Sequence, residues 1–316
     1  MAESAERPNT EPAWPIPRSY RDAAADEPGS AEWLPALRST AIDCAERWGL
    51  VPDGPALHGW TSMVWPVRDH DGRRLMLKVS PPMPYVSDEA AALHAFAATA
   101  RPTGPHMITP VQADPALRAV LLPRLDASRS LQDHPDIDEA VEVIAALLGQ
   151  IASVPALPGL TPLGAELDQM AERISLPGPL PVGITDRARA RIRELRTILP
   201  TLPQRTLHGD LHFLNVLHTE SGDPPCWIGI DPLPLSGITA WEAVPMLRNR
   251  WADALANGDP DRALRRRVDQ VCAATGDDAE LVRACAQIAS VSTLFALLPA
   301  RPDHLHAPAY RVMADW

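Results

Sequence analysis

The chain has 316 residues, 46% hydrophobic and 22% charged, with a formal net charge of -11. That length allows one large domain or two lobes, and the acidic balance excludes a chain built for non-specific nucleic-acid binding, which needs a basic surface. Its 35 prolines, about twice the usual share, predict short elements with stiff connections.

Residues 1–30 are rich in Pro, Glu and Ala, lack periodicity, and read as a flexible or loosely docked arm. The start, MAESAERPNTEP, has neither the basic region nor the apolar core of a secretory signal. Ser30 is placed to cap a helix in which Trp33, Leu37, Ala41, Cys44 and Trp48 form one apolar stripe, and Gly49 marks its end. A hairpin follows: residues 63–69 and 73–79, turned at Asp71-Gly72. Pro66 predicts that its first strand is an edge or is bulged. Then come a helix over about 87–100 and a strand over 119–126. From Asp138 the pattern is helical, with further helices at 164–175 and 185–199. A second hairpin, 216–219 with 227–230, precedes helices near Trp241, Asp261 and Asp278. These elements predict an α+β chain with a strand-rich lobe over 31–124 and a larger helical lobe over 125–316. No run approaches the roughly 18 apolar residues of a membrane span. The best, Cys285 to Ala300, is broken by Gln287, Ser290, Ser292 and Thr293. The four cysteines show no C-x-x-C spacing and read as thiols of a reduced cytoplasm.

The chemistry is concentrated in TLHGDLHFLNVLH, residues 206–218. The second hairpin begins just after Asn215 and ends just before Asp231, so antiparallel pairing predicts that these two are neighbours. Two oxygen ligands at one point suit Mg²⁺, which takes a few protein oxygens and completes its shell with phosphate and water. Asp210, five residues before Asn215, can face the same space and accept a proton from a substrate hydroxyl. A base and two metal ligands in this order match the general arrangement for phosphoryl transfer from ATP. Taken singly, Gly-Asp and Asp-Pro are common turn dipeptides; it is their order around a hairpin that favours catalysis. His208 and His212 have metal-like spacing, but Gly209 interrupts them and a strand follows, so zinc is disfavoured. Both are expected to brace the loop behind the site, and His212 could instead touch phosphate.

In the first lobe there is no G-x-x-x-x-G-K-[ST] and no G-x-G-x-x-G. HGWTSMVWPV stands in their place, with Gly59 and Ser62 as candidates to approach phosphate. Lys78 is the only lysine of the chain and ends an apolar strand. It suits the α/β-phosphates, although a solvated edge position is its plain alternative. Its expected partner is Glu89, which shares a helix face with Leu93 and Phe96. Asp88 lies about 100° round that helix, and a first-turn acid favoured by the helix dipole is the alternative for Glu89. LLPRLD would join the lobes and meet adenine through the Pro123 carbonyl and a donor such as Leu125.

WTSMVWPV, LMLKV, VLLPRLDASRSL, SVPALPGLTPL, HGDLHFLNVL, WIGIDPLPLSG and AVPMLRNRW together resemble the aminoglycoside/hydroxyurea antibiotic resistance kinase family, in particular its streptomycin 6-phosphotransferases. The resemblance implies a bilobal protein-kinase-like fold, ATP and Mg²⁺, with Asp210 as base and Asn215 and Asp231 as metal ligands. It also implies a small hydroxylated acceptor, cationic if an aminoglycoside. One departure follows IDP: Ile238 and Thr239 stand where the family has Asp-Pro, and Glu242 takes the place of a later acid. That region is expected to brace the catalytic loop or to border the acceptor pocket. Asp126, Asp133, Asp136 and Glu242 are the acids available to a cationic acceptor, with solvated helix-end roles as the alternative. The same chemistry on another metabolite and a non-catalytic nucleotide-binding protein are the competing functions.

Overall fold

The computed structural model describes residues 14–25, 27, 29–59, 62–82, 88–100, 104–220 and 226–316. The chain divides into two compact units, Met1–Ala90 with Thr109–Arg124, and Ala91–Ile108 with Leu125–Trp316. The sequence placed a single boundary after residue 124; the structure also assigns Ala91–Ile108 to the second unit.

In chain order the first part holds α1 (Arg18–Ala24), α2 (Ser30–Trp48), β1 (Val51–Pro52), β2 (Leu57–His58), β3 (Met63–Arg68), β4 (Arg74–Val79), α3 (Glu89–Ala97), β5 (His106–Met107), β6 (Gln112–Asp114) and β7 (Ala119–Pro123). Apart from β5 and most of α3, these build the first unit around a sheet ordered β1-β3-β4-β7-β6, with β2 also on β3. The predicted stripe of α2 buries Trp33, Leu37, Ala41 and Cys44 against this sheet. Full burial of side chains the size of Leu is worth about 1.5–3 kcal/mol each, so the stripe holds the helix in place. Ser30 is the first helical residue rather than the cap. Gly29, at φ 73, takes the cap position, and the Ser30 hydroxyl donates to the Ala25 carbonyl at 3.1 Å.

Two further expectations change here. β3 is not an edge: β2 pairs with its first half and β1 with its end, and Pro66 falls in the gap between them. The missing proline N–H therefore costs no ladder bond on that side. The expected arm is folded from Trp14 onward, while residues 1–13 lie outside the described residues. Trp14 meets Trp65 edge-on at 6.1 Å, Trp65 Nε1 donates to the Pro15 carbonyl at 3.1 Å, and Tyr20 of α1 is fully buried. Proline and acid content concealed two aromatic anchors, Trp14 and Tyr20.

The second part holds β8 (Leu125–Ser130), α4 (Ile137–Ile151), α5 (Leu163–Ser175), α6 (Val182–Ile198), β9 (Arg205–Leu207), β10 (Val216–Thr219), β11 (Trp227–Gly229), β12 (Leu235–Gly237), α7 (Ala243–Arg248), α8 (Trp251–Ala256), α9 (Pro260–Thr275), α10 (Ala279–Leu297) and α11 (Ala307–Ala314). Its strands form the sheet β5-β11-β10-β8 and the ribbon β12-β9. Side-chain caps start three of the helices: Asp136 for α4, Asp259 for α9 and Asp278 for α10. α10 is long and apolar enough to cross a membrane. Two of its polar residues are instead spent on internal contacts: Gln287 donates to the Ala314 and Trp316 carbonyls, and Ser292 accepts from Arg173. It packs against α5, α6, α9 and α11 as a core helix.

Candidate active site

In the first unit, Lys78 lies opposite Val64 in the β3–β4 ladder. Its ammonium donates to Glu89 Oε1 at 2.7 Å, with side-chain exposures of only 9% and 5%. A bare ammonium at that depth would be costly, and the carboxylate at the first residue of α3 offsets the cost. Asp88 is more exposed than Glu89. Ser62 precedes β3, and its hydroxyl is 2.7 Å from that of Ser80 in a buried pair. Gly59 is exposed and its N–H donates to the Ser62 carbonyl at 3.1 Å. Pro123 ends β7. Leu125 opens β8 in the second unit, paired with Thr219.

In the second unit, β9 delivers the chain into His208, Gly209 and Asp210, and a short 3-10 turn over Phe213–Asn215 leads into β10. The β10–β11 register, Val216 opposite Gly229, returns the chain to Asn215. The Ile230 N–H donates to the Asn215 carbonyl at 2.9 Å, which sets Asp231 beside the end of the loop. Asp231 is exposed and left-handed at φ 61, a conformation costly for a non-glycine residue and common at functional sites. Asn215 Nδ2 donates to the Asp210 carbonyl at 2.9 Å, which leaves its Oδ1 as an acceptor. Among the described residues no group of three or more His, Cys, Asp or Glu is arranged to hold a metal. A cation held by Asn215 and Asp231 would therefore take its remaining ligands from phosphate and water, as Mg²⁺ does.

His208 is fully buried and ties the two strand ends together. Its Nδ1 accepts from the Asp210 N–H at 3.3 Å, so Nε2 carries the proton and donates to the Ile230 carbonyl at 3.0 Å. Burial holds its pKa down at about 4, so the ring is neutral. His212 Nε2 lies 3.4 Å from Asp210 Oδ2. Arg248 Nη2 donates to Asp210 Oδ1 at 2.6 Å. Burial pushes the Asp210 carboxyl up, but the His212 hydrogen bond and the Arg248 charge beside it outweigh burial and leave the pKa below the usual range. Asp210 is thus an ionised, partly buried acceptor.

Glu242 stands elsewhere than a substrate-facing acid would. It is 1% exposed, and its two oxygens accept the His208 and Gly209 N–H groups at 2.9 Å each. Burial drives its pKa up to about 7, against those two donors. Of the two expected roles it takes the loop brace, with both oxygens bonded to the loop backbone. Asp126 is also committed locally, accepting from the Ser128 backbone and hydroxyl. Asp136 caps α4. The groups that sequence reasoning missed are Arg248 and the residue behind it, Tyr310, whose hydroxyl lies 3.4 Å from Arg248 Nη1. Arg248 sits inside AVPMLRNRW, but no spacing rule links that stretch to Asp210.

Residues 47–296 match the family of aminoglycoside/hydroxyurea antibiotic resistance kinases. A streptomycin 6-kinase of Streptomyces glaucescens is 35% identical over 269 residues, 84% of this chain and 83% of that protein. A hydroxyurea phosphotransferase of Kitasatospora aureofaciens is 34% identical over 262 residues, 80% of this chain and 71% of that protein. Among solved structures, an amicoumacin kinase in complex with AMP-PNP and Ca²⁺ has a TM-score of 0.57 at 12% identity, covering 89% of this chain and 95% of that one. The fold is protein-kinase-like. The chain belongs to the aminoglycoside/hydroxyurea antibiotic resistance kinase family, whose members are phosphotransferases.

Proposed function

We propose that this enzyme transfers the γ-phosphate of ATP to a hydroxyl of a small antibiotic of the streptomycin class and so inactivates it. The observation that carries the reading is the Asp210 carboxylate, held ionised on a loop that is hydrogen-bonded to Asn215 and stitched to the strand end bearing Asp231. In this reading Asp210 aligns the acceptor hydroxyl and takes its proton as the acceptor oxygen bonds to phosphorus and the bond to the ADP oxygen breaks. Lys78 pairs with the α/β-phosphates, and Glu89 keeps its ammonium in place. Gly59 and Ser62 approach the phosphates, and Pro123 and Leu125 meet the base. Mg²⁺ on Asn215 and Asp231 would supply charge neutralisation at the phosphates.

The hydroxyurea phosphotransferase among the relatives supports a second acceptor on the same machinery. Both are tested together by supplying Mg-ATP with streptomycin, with other aminoglycosides and with hydroxyurea, and following phosphorylated product. Asp210→Ala should abolish transfer and leave ATP binding nearly unchanged. Transfer at the wild-type rate by that variant would remove Asp210 as the base, and absence of Mg-ATP binding by the wild type would sink the enzyme reading.

A further inference from the structure

The carboxylate at the centre of the proposed reaction is held by a group outside the expected catalytic set. Arg248, the last residue of α7, bonds Asp210 Oδ1 through Nη2 at 2.6 Å and reaches the Tyr310 hydroxyl through Nη1 at 3.4 Å. Tyr310 is 4% exposed and lies on α11, beyond the residues 47–296 that match the family. His306, next to the start of α11, packs its ring against Tyr310 at 6.5 Å. Burial, with the charge of Arg248, keeps that ring's pKa down at about 4, so it adds no second cation. The terminal helix thus buttresses the guanidinium.

A carboxylate on a loop has two rotatable bonds and two equivalent oxygens. A short charge-assisted bond on one oxygen chooses which of them is left for the acceptor. Here Arg248 takes Oδ1, and Oδ2 remains, with His212 Nε2 at 3.4 Å. An arginine does not give up its proton in a protein, so it cannot itself be the base. Its role toward the reaction is geometric.

We propose that Arg248 is a positioning residue, braced by Tyr310 of the terminal helix, that holds Asp210 with Oδ2 presented to the acceptor hydroxyl. The proposal rests on the phosphotransferase reading above. The test uses the full chain with Mg-ATP and streptomycin and compares Arg248→Ala and Tyr310→Phe with the wild type. It measures kcat, both KM values, melting temperature and the effect of added guanidinium. Arg248→Ala should lower kcat about 100-fold, the scale of a misplaced catalytic group. KM for ATP should stay within about threefold, and guanidinium filling the space the truncation vacates should recover about tenfold of the lost rate. Tyr310→Phe should lower kcat about threefold, the scale of one weak hydrogen bond, without a matching change in melting temperature. Wild-type-like kcat in Arg248→Ala overturns the proposal. So does a loss that guanidinium fails to recover while Tyr310→Phe turns over normally. If the wild type transfers to no acceptor, the function reading fails separately. The same variants and the same rescue are then read through slow hydrolysis of Mg-ATP, with water in place of the acceptor.

Discussion

Gly209→Ala tests whether the catalytic loop is held by close backbone packing. Gly209 sits at φ +78, and a Cβ built on it would lie 2.2 Å from the Leu233 carbonyl oxygen and 2.9 Å from Leu235 Cδ2. Carbon and oxygen meet comfortably at about 3.3–3.6 Å, so loop and strand would have to part by about 1 Å. The left-handed backbone adds about 1–2 kcal/mol for a residue with a side chain. Parting also strains the bond from the Leu233 N–H to the His208 carbonyl at 2.8 Å, worth about 1 kcal/mol net. With the steric displacement the sum is about 2–4 kcal/mol, and at roughly 2–4 °C per kcal/mol for a unit of this size the melting midpoint should fall by about 4–16 °C. Turnover should fall about 100-fold, because Asp210 is the next residue. Gly183→Ala is the matched control: it lies in α6, has no positive φ and meets nothing within 4 Å. It should be neutral or stabilising by up to about 1 kcal/mol. Thermal melts followed by circular dichroism, with transfer kinetics on the same samples, read both. A Gly209→Ala protein that melts and turns over like the wild type would refute the close-packing argument.

Lys78→Met should destabilise the first unit by about 3–5 kcal/mol, since it leaves the Glu89 carboxylate buried without its cation. Lys78→Met with Glu89→Met should regain most of that stability in urea titrations and still fail to turn over Mg-ATP. Recovery of activity by the double variant would contradict the phosphate role. A second test uses pH. His208 has its pKa lowered from 6.5 to about 4, so the unfolded chain binds the extra proton and stability rises as pH climbs through that window. Glu242 has its pKa raised from 4.5 to about 7, so the folded chain binds the extra proton and stability falls as pH climbs between those values. The two oppose each other over about pH 4.5–6.5, each on the order of a few kcal/mol. Relative to wild type, Glu242→Gln should therefore gain stability with rising pH, and His208→Gln should lose it. Urea midpoints that run parallel to wild type in both variants would show that neither group titrates this way.

The legible parts of the chain were those with local periodicity or a short pairing rule. The stripe from Trp33 to Cys44, the hairpin turned at Gly72 and the pairing of Lys78 with Glu89 all follow from spacings of two, three or four. The return of Asp231 toward Asn215 followed from a single hairpin. What the sequence hid depends on long-range pairs of very few residues. β5 is two residues long and joins β11 in parallel; β12 joins β9 across three. No periodicity exists over two or three positions. Glu242 was ambiguous because an acid after IDP can face either the loop or the solvent, and only its two backbone donors decide between these. Arg248 was missed for the same reason: an arginine near the end of an apolar run reads as a helix-end charge, and its partner lies 38 residues earlier.

The docking of Trp14, Tyr20 and α2 onto the first sheet bears on how such a gene can be exchanged. The family match begins at residue 47, yet Trp14, Tyr20, Trp33 and Leu37 lie upstream of it and share one core with Met63, Trp65 and Leu77. A recombination seam placed at the start of the matched region would divide that core between two parents. The sheet would then carry a tryptophan face with no matching helices, or foreign helices cut to another shape. Viable hybrids between this enzyme and its relatives should therefore inherit their first two helices and their β3–β4 hairpin from the same parent, however freely the catalytic half is swapped.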